Sequence, residues 1–210
     1  SRSSMNITDA SKNDLIKLVH VSNIHRVKNI ELYGIEIQKV VADLANLNSE
    51  ENGIELKLEC SDITYLSANI TNKSFEHVIA NTHYFDRKTS LRSINLAKEK
   101  SFGDTCLLSD WLKVAAKRAK PKGFVHFIVR SERLPEMFNN MPNSLGSLVI
   151  TPILSRQNEN AKLTILHAKK NGRAGFVISS PIILHPLKND SQEKYVPEVD
   201  QVLRNGASLI

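Results

Sequence analysis

An alternation of short strand-like and helical patterns, from residue 29 to residue 129, constrains the fold of this chain more than any other feature. Strand candidates alternate or form short apolar runs, and helix candidates repeat apolar residues every three or four positions. The pattern predicts strands at 29–37, 54–60, 75–80 and 124–129, with helices at 38–47 and 107–119. Strands joined through helices pair in parallel, because each connection must cross over the sheet. We therefore predict an α/β protein with a mainly parallel, doubly wound sheet.

The flanking segments extend this prediction. A helical pattern at 11–27 precedes the first strand, and a polar loop without periodicity spans 82–102, a length typical of functional or mobile loops. Pro121-Lys122-Gly123 is expected to stop the helix at 107–119. Beyond it the sequence predicts a short helix at 134–141, strands at 148–154, 163–169 and 176–184, and a closing helix at 195–205. The close spacing of the late strands favours hairpin pairing and an antiparallel C-terminal edge.

Composition indicates one globular domain. Of the 210 residues, 41% are hydrophobic and 24% charged, which is typical of soluble globular proteins. We interpret residues 1–5 as a tag or vector-derived remnant and residues 6–210 as the domain. Because no apolar run is long enough to cross a bilayer and no signal-peptide pattern opens the chain, we expect a cytoplasmic protein with no membrane partner.

The net charge does not identify the binding partner, and the cysteines and histidines do not indicate a metal site. The net charge of +6 suits a polyanion, although many metabolic enzymes carry a similar excess. Basic residues in and after the helix at 107–119 indicate either a solvated face or a track for RNA phosphates. Cys60 and Cys106 lie far apart in the sequence and are expected to be buried free thiols. The histidines have no partners at ligand spacing, so no metal site is predicted.

Acidic residues follow two of the predicted strands, at the edge where doubly wound sheets bind ligands. Glu36 ends the first strand, where a carboxylate can accept hydrogen bonds from both hydroxyls of a ribose or can be a solvated charge. Asp62 follows the second strand. Its carboxylate can accept a bond from an adenine amine while Ile63 packs on the ring, or it can be an ordinary turn aspartate.

Asn81 ends the third predicted strand and is followed by aromatic residues. An asparagine amide oxygen can accept a hydrogen bond from an adenine amino group, leaving the nitrogen lone pair directed at a methyl donor. The aromatic ring of Tyr84, three residues later, can stack on an unpaired or flipped base. The alternative is a turn asparagine followed by core aromatics.

The order of these motifs resembles the bacterial tRNA(Val) adenine-N6 methyltransferase family and its methyltransferase small domain relatives. The resemblance extends over about six-sevenths of the chain, from Ile30 to Leu209. It depends on several stretches in sequence order: Glu-x-Tyr-Gly-Ile-Glu-Ile-Gln ending at Gln38, Cys-Ser-Asp-Ile at 60–63, residues 78–85 in the place of an Asn-Pro-Pro-Tyr-Phe loop, Ser-Asp-Trp-Leu at 109–112, and Val-Arg-Ser-Glu-Arg-Leu-Pro-Glu at 129–136.

The resemblance implies a Rossmann-like class I fold with seven strands, S-adenosylmethionine as cofactor, and methylation of an adenine N6 in tRNA. It implies that the cofactor is bound by Glu36, Ile37, Asp62, Ile63 and Asn81. It implies that the catalytic residues are Asn81 and Tyr84. The substrate tRNA would be contacted by Tyr84, Phe85, Arg87, Lys88 and Arg92.

Two departures from the family pattern bear on activity. The loop contains Thr82 and His83 in place of two prolines, which loosens a turn that aims a backbone carbonyl at the base. The family's first strand and its Asp-x-Gly-x-Gly-x-Gly loop have no counterpart, since no glycine precedes Gly34. In the family that strand lies between the second and fourth, so its neighbours are expected to be unpaired or to pair anew.

These departures define the alternatives. The chain is interpreted as a truncated or degenerate family member, incomplete at its N-terminus. A second hypothesis is a catalytically impaired remnant that acts as an RNA-binding or interaction module. A third is that a partner chain supplies the missing strand, for example in a homodimer with exchanged elements.

Overall fold

The computed structural model describes residues 30–81, 107–187 and 194–207. The strands are β1 Leu32–Glu36, β2 Leu56–Cys60, β3 Phe75–Asn81, β4 Ala119–Arg130, β5 Leu145–Leu154, β6 Leu163–Lys170, β7 Val177–Ile178 and β8 Ile182–Ile183. The α-helices are α1 Lys39–Glu51, α2 Ala68–Thr71, α3 Leu108–Arg118, α4 Leu134–Asn139 and α5 Pro197–Asn205, with a 3-10 turn at Ser131–Arg133 before α4. The predicted helix at 11–27 and the loop at 82–102 lie outside the described residues.

The described strands form two sheets, and the larger has the strand order β3-β4-β6-β5, with β7 and β8 both pairing to β5. β3 and β4 are parallel and are connected through α3, as the alternating pattern predicts. β6 is antiparallel to both of its neighbours, β4 and β5. The antiparallel pairing predicted for the late strands is therefore found in β5 and β6, whereas the outer β7 and β8 are parallel to β5.

One face of the larger sheet contains the main core. Alternate residues of β4 are fully buried: Val125, Phe127 and Val129 each have 0% exposure. The apolar face of α3 packs on this side, centred on Leu112, and Met137 of α4 joins the same cluster. These helices are amphipathic and the strands alternate, so both bury one face against the other.

β1 and β2 form a separate parallel pair, with α1 as the crossover between them. Among residues 30–81, 107–187 and 194–207, no strand pairs with the free edge of either β1 or β3.

Two side-chain contacts join the part of the chain that contains β1 and β2 to the larger sheet and α3. The buried Arg118, at the end of α3, donates from Nη1 to the carbonyl oxygens of Ile70 at 3.1 Å and Lys73 at 3.0 Å, and also to that of Thr71. The rings of Tyr33 and Phe75 lie 5.2 Å apart, between centroids. These contacts link the chain around β1 and β2 to the larger sheet and its helix α3.

Three local predictions were wrong. α3 ends at Arg118, and Pro121-Lys122-Gly123 belongs to β4, where Lys122 has a φ of 66° and the pairing with β3 shifts register. The single strand predicted at 176–184 is two short strands separated by residues 179–181, and neither forms a hairpin with β5. Cys60 is exposed rather than buried, and Cys106 lies outside the described residues.

Two further elements differ from expectation. The short helix α2 was not predicted, because four residues carry no periodic signal. The apolar face expected on α1 consists of Val40, Val41, Leu44 and Leu47. Only Val41 is half-buried, and the other three are exposed, with Val40 at 81% and Leu47 at 56%. No helix within the described ranges is both long and apolar enough to span a membrane.

Candidate functional site

The carboxyl ends of β1 and β2 meet at one edge, because the two strands are parallel. Glu36 is opposite Cys60 in the pairing register, and the amide of Ser61 donates to the Glu36 carbonyl oxygen at 3.0 Å. The Cys60 thiol lies 3.9 Å from the Ile37 carbonyl oxygen. Four of the predicted cofactor residues, Glu36, Ile37, Asp62 and Ile63, are therefore at this edge, which we call the β1–β2 edge.

The Glu36 side chain is enclosed although it ends a strand. Only 9% of the residue is exposed, and Oε1 accepts a hydrogen bond from the backbone amide of Gln38 at 2.8 Å. Gln38 is the residue before the first turn of α1, and a helix N-terminus carries partial positive charge that stabilises a nearby carboxylate. The alternative of a solvated strand-end charge is therefore wrong for Glu36.

Gln38 adds a donor that sequence analysis did not single out. Its Nε2 atom is buried, and among the described residues it has no hydrogen-bond partner. An unpaired buried donor costs free energy, so such groups are rare in native proteins and call for an explanation. A ligand oxygen held between Glu36 and the start of α1 would supply the acceptor.

Asp62 forms a turn of its own. Its Oδ1 accepts from the backbone amide of Thr64 at 2.8 Å and from the Thr64 hydroxyl at 2.7 Å, while its carbonyl accepts from the Tyr65 amide at 2.9 Å. This is the turn aspartate that the sequence allowed as one alternative. The Oδ2 atom has no hydrogen-bond partner within the described part of the chain, and Ile63 beside it is buried.

Glu59, near the end of β2, is bonded to both ends of the segment 61–67. Oε1 accepts from the Ser61 hydroxyl at 2.9 Å and from the Ser67 amide at 2.8 Å, and Oε2 accepts from the Ser67 hydroxyl. Burial raises the pKa of Glu59, but these hydrogen bonds together outweigh it and hold the pKa below its ordinary value. The sequence did not indicate a role for Glu59, because alternation along the strand predicts only that its side chain faces solvent.

Asn81 is the last residue of β3 and is opposite Ile128 of β4. It lies at the carboxyl end of a strand, as predicted, but in the larger sheet. The residues predicted for catalysis and tRNA contact after it, Tyr84, Phe85, Arg87, Lys88 and Arg92, lie outside the described residues.

Three histidines that look scattered in the sequence form a row on the larger sheet. His126 of β4 lies between His77 of β3 and His167 of β6: its Nε2 is 3.2 Å from Nδ1 of His77, and its Nδ1 is 3.0 Å from Nδ1 of His167. Burial and the two neighbouring imidazoles lower the pKa of His126 to about 4, and burial followed by His77 lowers the pKa of His167.

Both ring nitrogens of the central His126 face a neighbouring histidine, so the nitrogen lone pairs of the three rings do not point at one metal position. No group of three potential metal ligands is found among the described residues. Alternation places these side chains on one face of each strand, but which strands are neighbours depends on pairing that the sequence pattern does not reveal. That is why the sequence interpretation did not bring them together.

The basic residues in and near α3 have different environments: one is buried, and others form exposed ion pairs. Arg118 is buried against backbone carbonyls, so it does not belong to a phosphate track. Lys113 lies 3.5 Å from Asp110, and Lys120 is paired with Glu76. Because both ion pairs are exposed, each lysine would exchange its carboxylate partner for a phosphate at little cost in free energy.

Comparison with known proteins identifies the fold. No family model matches the sequence, and no curated protein matches it. A crystal structure of a predicted O-methyltransferase from Agrobacterium tumefaciens aligns with 90% of this chain and 84% of its own length, at a TM-score of 0.67 and 21% identity. A putative class I S-adenosylmethionine-dependent methyltransferase from Listeria monocytogenes aligns with 89% of this chain and 58% of its own length, at a TM-score of 0.51 and 13% identity. The chain therefore has the Rossmann-like fold of class I methyltransferases.

Proposed function

We propose that this protein binds S-adenosylmethionine at the β1–β2 edge and transfers its methyl group to an adenine N6 in tRNA. The proposal is carried by two observations at the start of α1. The enclosed Glu36 carboxylate accepts from the Gln38 amide, and the buried Nε2 of Gln38 has no hydrogen-bond partner among the described residues. An acceptor and a donor at the end of a parallel strand suit a ribose, which presents hydroxyls able to donate and accept. The class I fold and the sequence resemblance support the same cofactor.

The residues at this edge would divide the cofactor between them. Glu36 would accept from the ribose hydroxyls while Gln38 donates to one of them. Oδ2 of Asp62 would accept from the adenine amine, since Oδ1 is already occupied by Thr64. Ile63 and Ile37 would pack on the adenine ring from either side of the turn. S-adenosylmethionine supplies an electrophilic methyl group once bound.

Asn81 would act on the substrate base. Its amide oxygen would accept a hydrogen bond from the adenine amino group and orient the nitrogen lone pair. Tyr84 would stack on the base, and the tRNA would be held by Phe85, Arg87, Lys88 and Arg92. Stacking of this kind is typically worth about 1–3 kcal/mol for each base. Because Thr82 and His83 replace stiffening prolines, we expect slow transfer rather than weak cofactor binding.

Calorimetry and a methylation assay test the proposal together. S-adenosylmethionine should bind saturably to the wild-type protein. Glu36→Ala should weaken binding at least about tenfold, since a carboxylate that accepts hydrogen bonds from the ribose is lost. Asn81→Ala should leave cofactor affinity largely intact and abolish formation of N6-methyladenosine in tRNA, measured by nucleoside mass spectrometry.

Glu51→Ala, at the exposed end of α1, is the matched control and should behave as wild type. Unchanged affinity in Glu36→Ala would place the cofactor elsewhere. No cofactor binding by the wild type, together with tight and salt-sensitive tRNA binding, would instead support the RNA-binding module.

A further inference from the structure

The segment 61–67 would present Asp62 and Ile63 to the cofactor. Its turn is closed locally by the bonds from the Thr64 and Tyr65 amides to Asp62. Those bonds define the shape of the turn but not its position relative to β2. That position is set by the packing of the buried Ile63 and by the two ends of the segment, Ser61 where it leaves β2 and Ser67 just before α2.

Both of those points are bonded to one carboxylate. Glu59 accepts from the Ser61 hydroxyl at 2.9 Å and from the Ser67 amide at 2.8 Å, with a further bond from the Ser67 hydroxyl. Hydrogen bonds to an ionised acceptor are about twice as strong as bonds between neutral groups. The Ser61 amide in turn donates to the Glu36 carbonyl at 3.0 Å, so the held segment is attached directly to β1.

We infer that Glu59 is a positioning residue for the cofactor, holding both ends of the segment 61–67 so that Asp62 and Ile63 remain beside Glu36. The inference depends on the proposed function for its ligand. It does not place Glu59 in contact with the cofactor. Its effect on binding acts through Ser61 and Ser67.

The loop can be tested without any cofactor. In Glu59→Ala, the amides of Thr64 and Tyr65 should exchange hydrogen about tenfold faster, because the turn is no longer fixed at its ends although neither amide touches Glu59. Glu59→Gln keeps the reach and one acceptor oxygen and should recover part of the protection. Glu55→Gln, which removes an exposed carboxylate earlier in the same stretch, is the control and should exchange as wild type.

Cofactor measurements then separate positioning from general stability. Glu59→Ala should raise the Kd for S-adenosylmethionine about tenfold, the scale of one lost charge-assisted hydrogen bond, while the rate of transfer at saturating cofactor stays unchanged. Glu59→Gln should have an intermediate Kd. Unchanged exchange at Thr64 in Glu59→Ala would overturn the inference, as would faster exchange with an unchanged Kd.

Failure of the proposed function has a different signature. In that case the wild type would not bind S-adenosylmethionine at all, whereas the exchange experiment would still show whether Glu59 holds the segment.

Discussion

The β1–β2 pair and the larger sheet contain the same kinds of strand but differ in how deeply they are buried. In the larger sheet, β4 and β6 contribute several residues with no exposure, among them Phe127 and Leu166. In the β1–β2 unit, by which we mean β1, α1 and β2, the most buried apolar residue is Ala42, and α1 exposes Val40 at 81%. Among the described residues, most of the fully buried core therefore lies in one sheet, whereas most of the proposed cofactor site lies on the other.

This difference has a physical cause. A strand paired on both sides, with helices packed on one face, removes most of its apolar surface from water. β1 pairs only with β2 among the described strands, and its apolar side chains Leu32, Tyr33 and Ile35 stay half-buried. We therefore expect the β1–β2 unit to depend on its links to the larger sheet, and the following variants test that dependence.

The largest effect should come from the core of the larger sheet. Leu112 of α3 is completely buried in the main cluster, so Leu112→Ala removes apolar contacts and leaves a cavity. We expect a loss of about 3 kcal/mol in the free energy of unfolding, measured by urea denaturation. Leu44→Ala on the exposed face of α1 is the control and should cost far less. A similar loss in the free energy of unfolding for both variants would contradict the difference in burial between the two sheets.

Arg118 should give the next largest effect, and a local one. Arg118→Met keeps much of the side-chain volume but leaves the carbonyls of Ile70, Thr71 and Lys73 without their donor, which we expect to cost about 2 kcal/mol. Amide exchange should accelerate across residues 56–73 while β4 and β6 stay protected. Lys117→Met, at an exposed neighbouring position, should change neither measurement. Uniform acceleration in both sheets would show that Arg118 is not a link between them.

The histidine row should make the larger sheet sensitive to acid. Because the pKa of folded His126 is about 4 and the ordinary value is 6.5, the unfolded chain binds more protons between those values. Stability should therefore fall as the pH drops from about 6.5 towards 4. At pH 5 we expect a loss of about 1 kcal/mol relative to pH 7, after allowing for solvent screening of a partly exposed ring.

His126→Gln isolates this contribution. The variant cannot take up the proton, so its urea midpoint should fall less than that of the wild type between pH 7 and pH 5. Parallel loss in both proteins would assign the acid sensitivity to other groups.

Local patterns explain which parts of this structure were predictable. The strands β1, β2 and β3 begin or end within a few residues of the predicted limits, because alternation and helical periodicity are properties of neighbouring residues. The placement of β6 between β4 and β5 depends on pairing between distant segments, which no local pattern specifies. The Pro121–Gly123 stretch misled for a related reason: the bulge that admits it into β4 requires β3 alongside.

The residues of the candidate site likewise divide into those that local sequence patterns indicated and those that they did not. The sequence singled out Glu36 because it ends a strand and Asp62 because it follows one, and the edge of a parallel pair brings strand ends together. Glu59 and Gln38 were missed because their significance lies in where the chain turns next. Glu59 is bonded to Ser67, eight residues later. Gln38 is notable only for a buried atom that has no hydrogen-bond partner among the described residues, which a sequence cannot show.

Substitution of Gln38 should have the smallest effect on stability, although it lies at the proposed cofactor site on the β1–β2 edge. Since Nε2 has no acceptor among the described residues, Gln38→Leu removes no hydrogen bond there, and we expect the free energy of unfolding to change by less than about 0.5 kcal/mol. The affinity for S-adenosylmethionine should nevertheless fall, because the donor proposed for the ribose is gone. Urea denaturation and calorimetry on the same variant measure the two quantities. Gln38→Glu, which replaces the donor with a second carboxylate near Glu36, should weaken binding further. A large loss of stability in Gln38→Leu with unchanged affinity would mean that Nε2 serves the fold, and the buried donor would then no longer indicate a ligand.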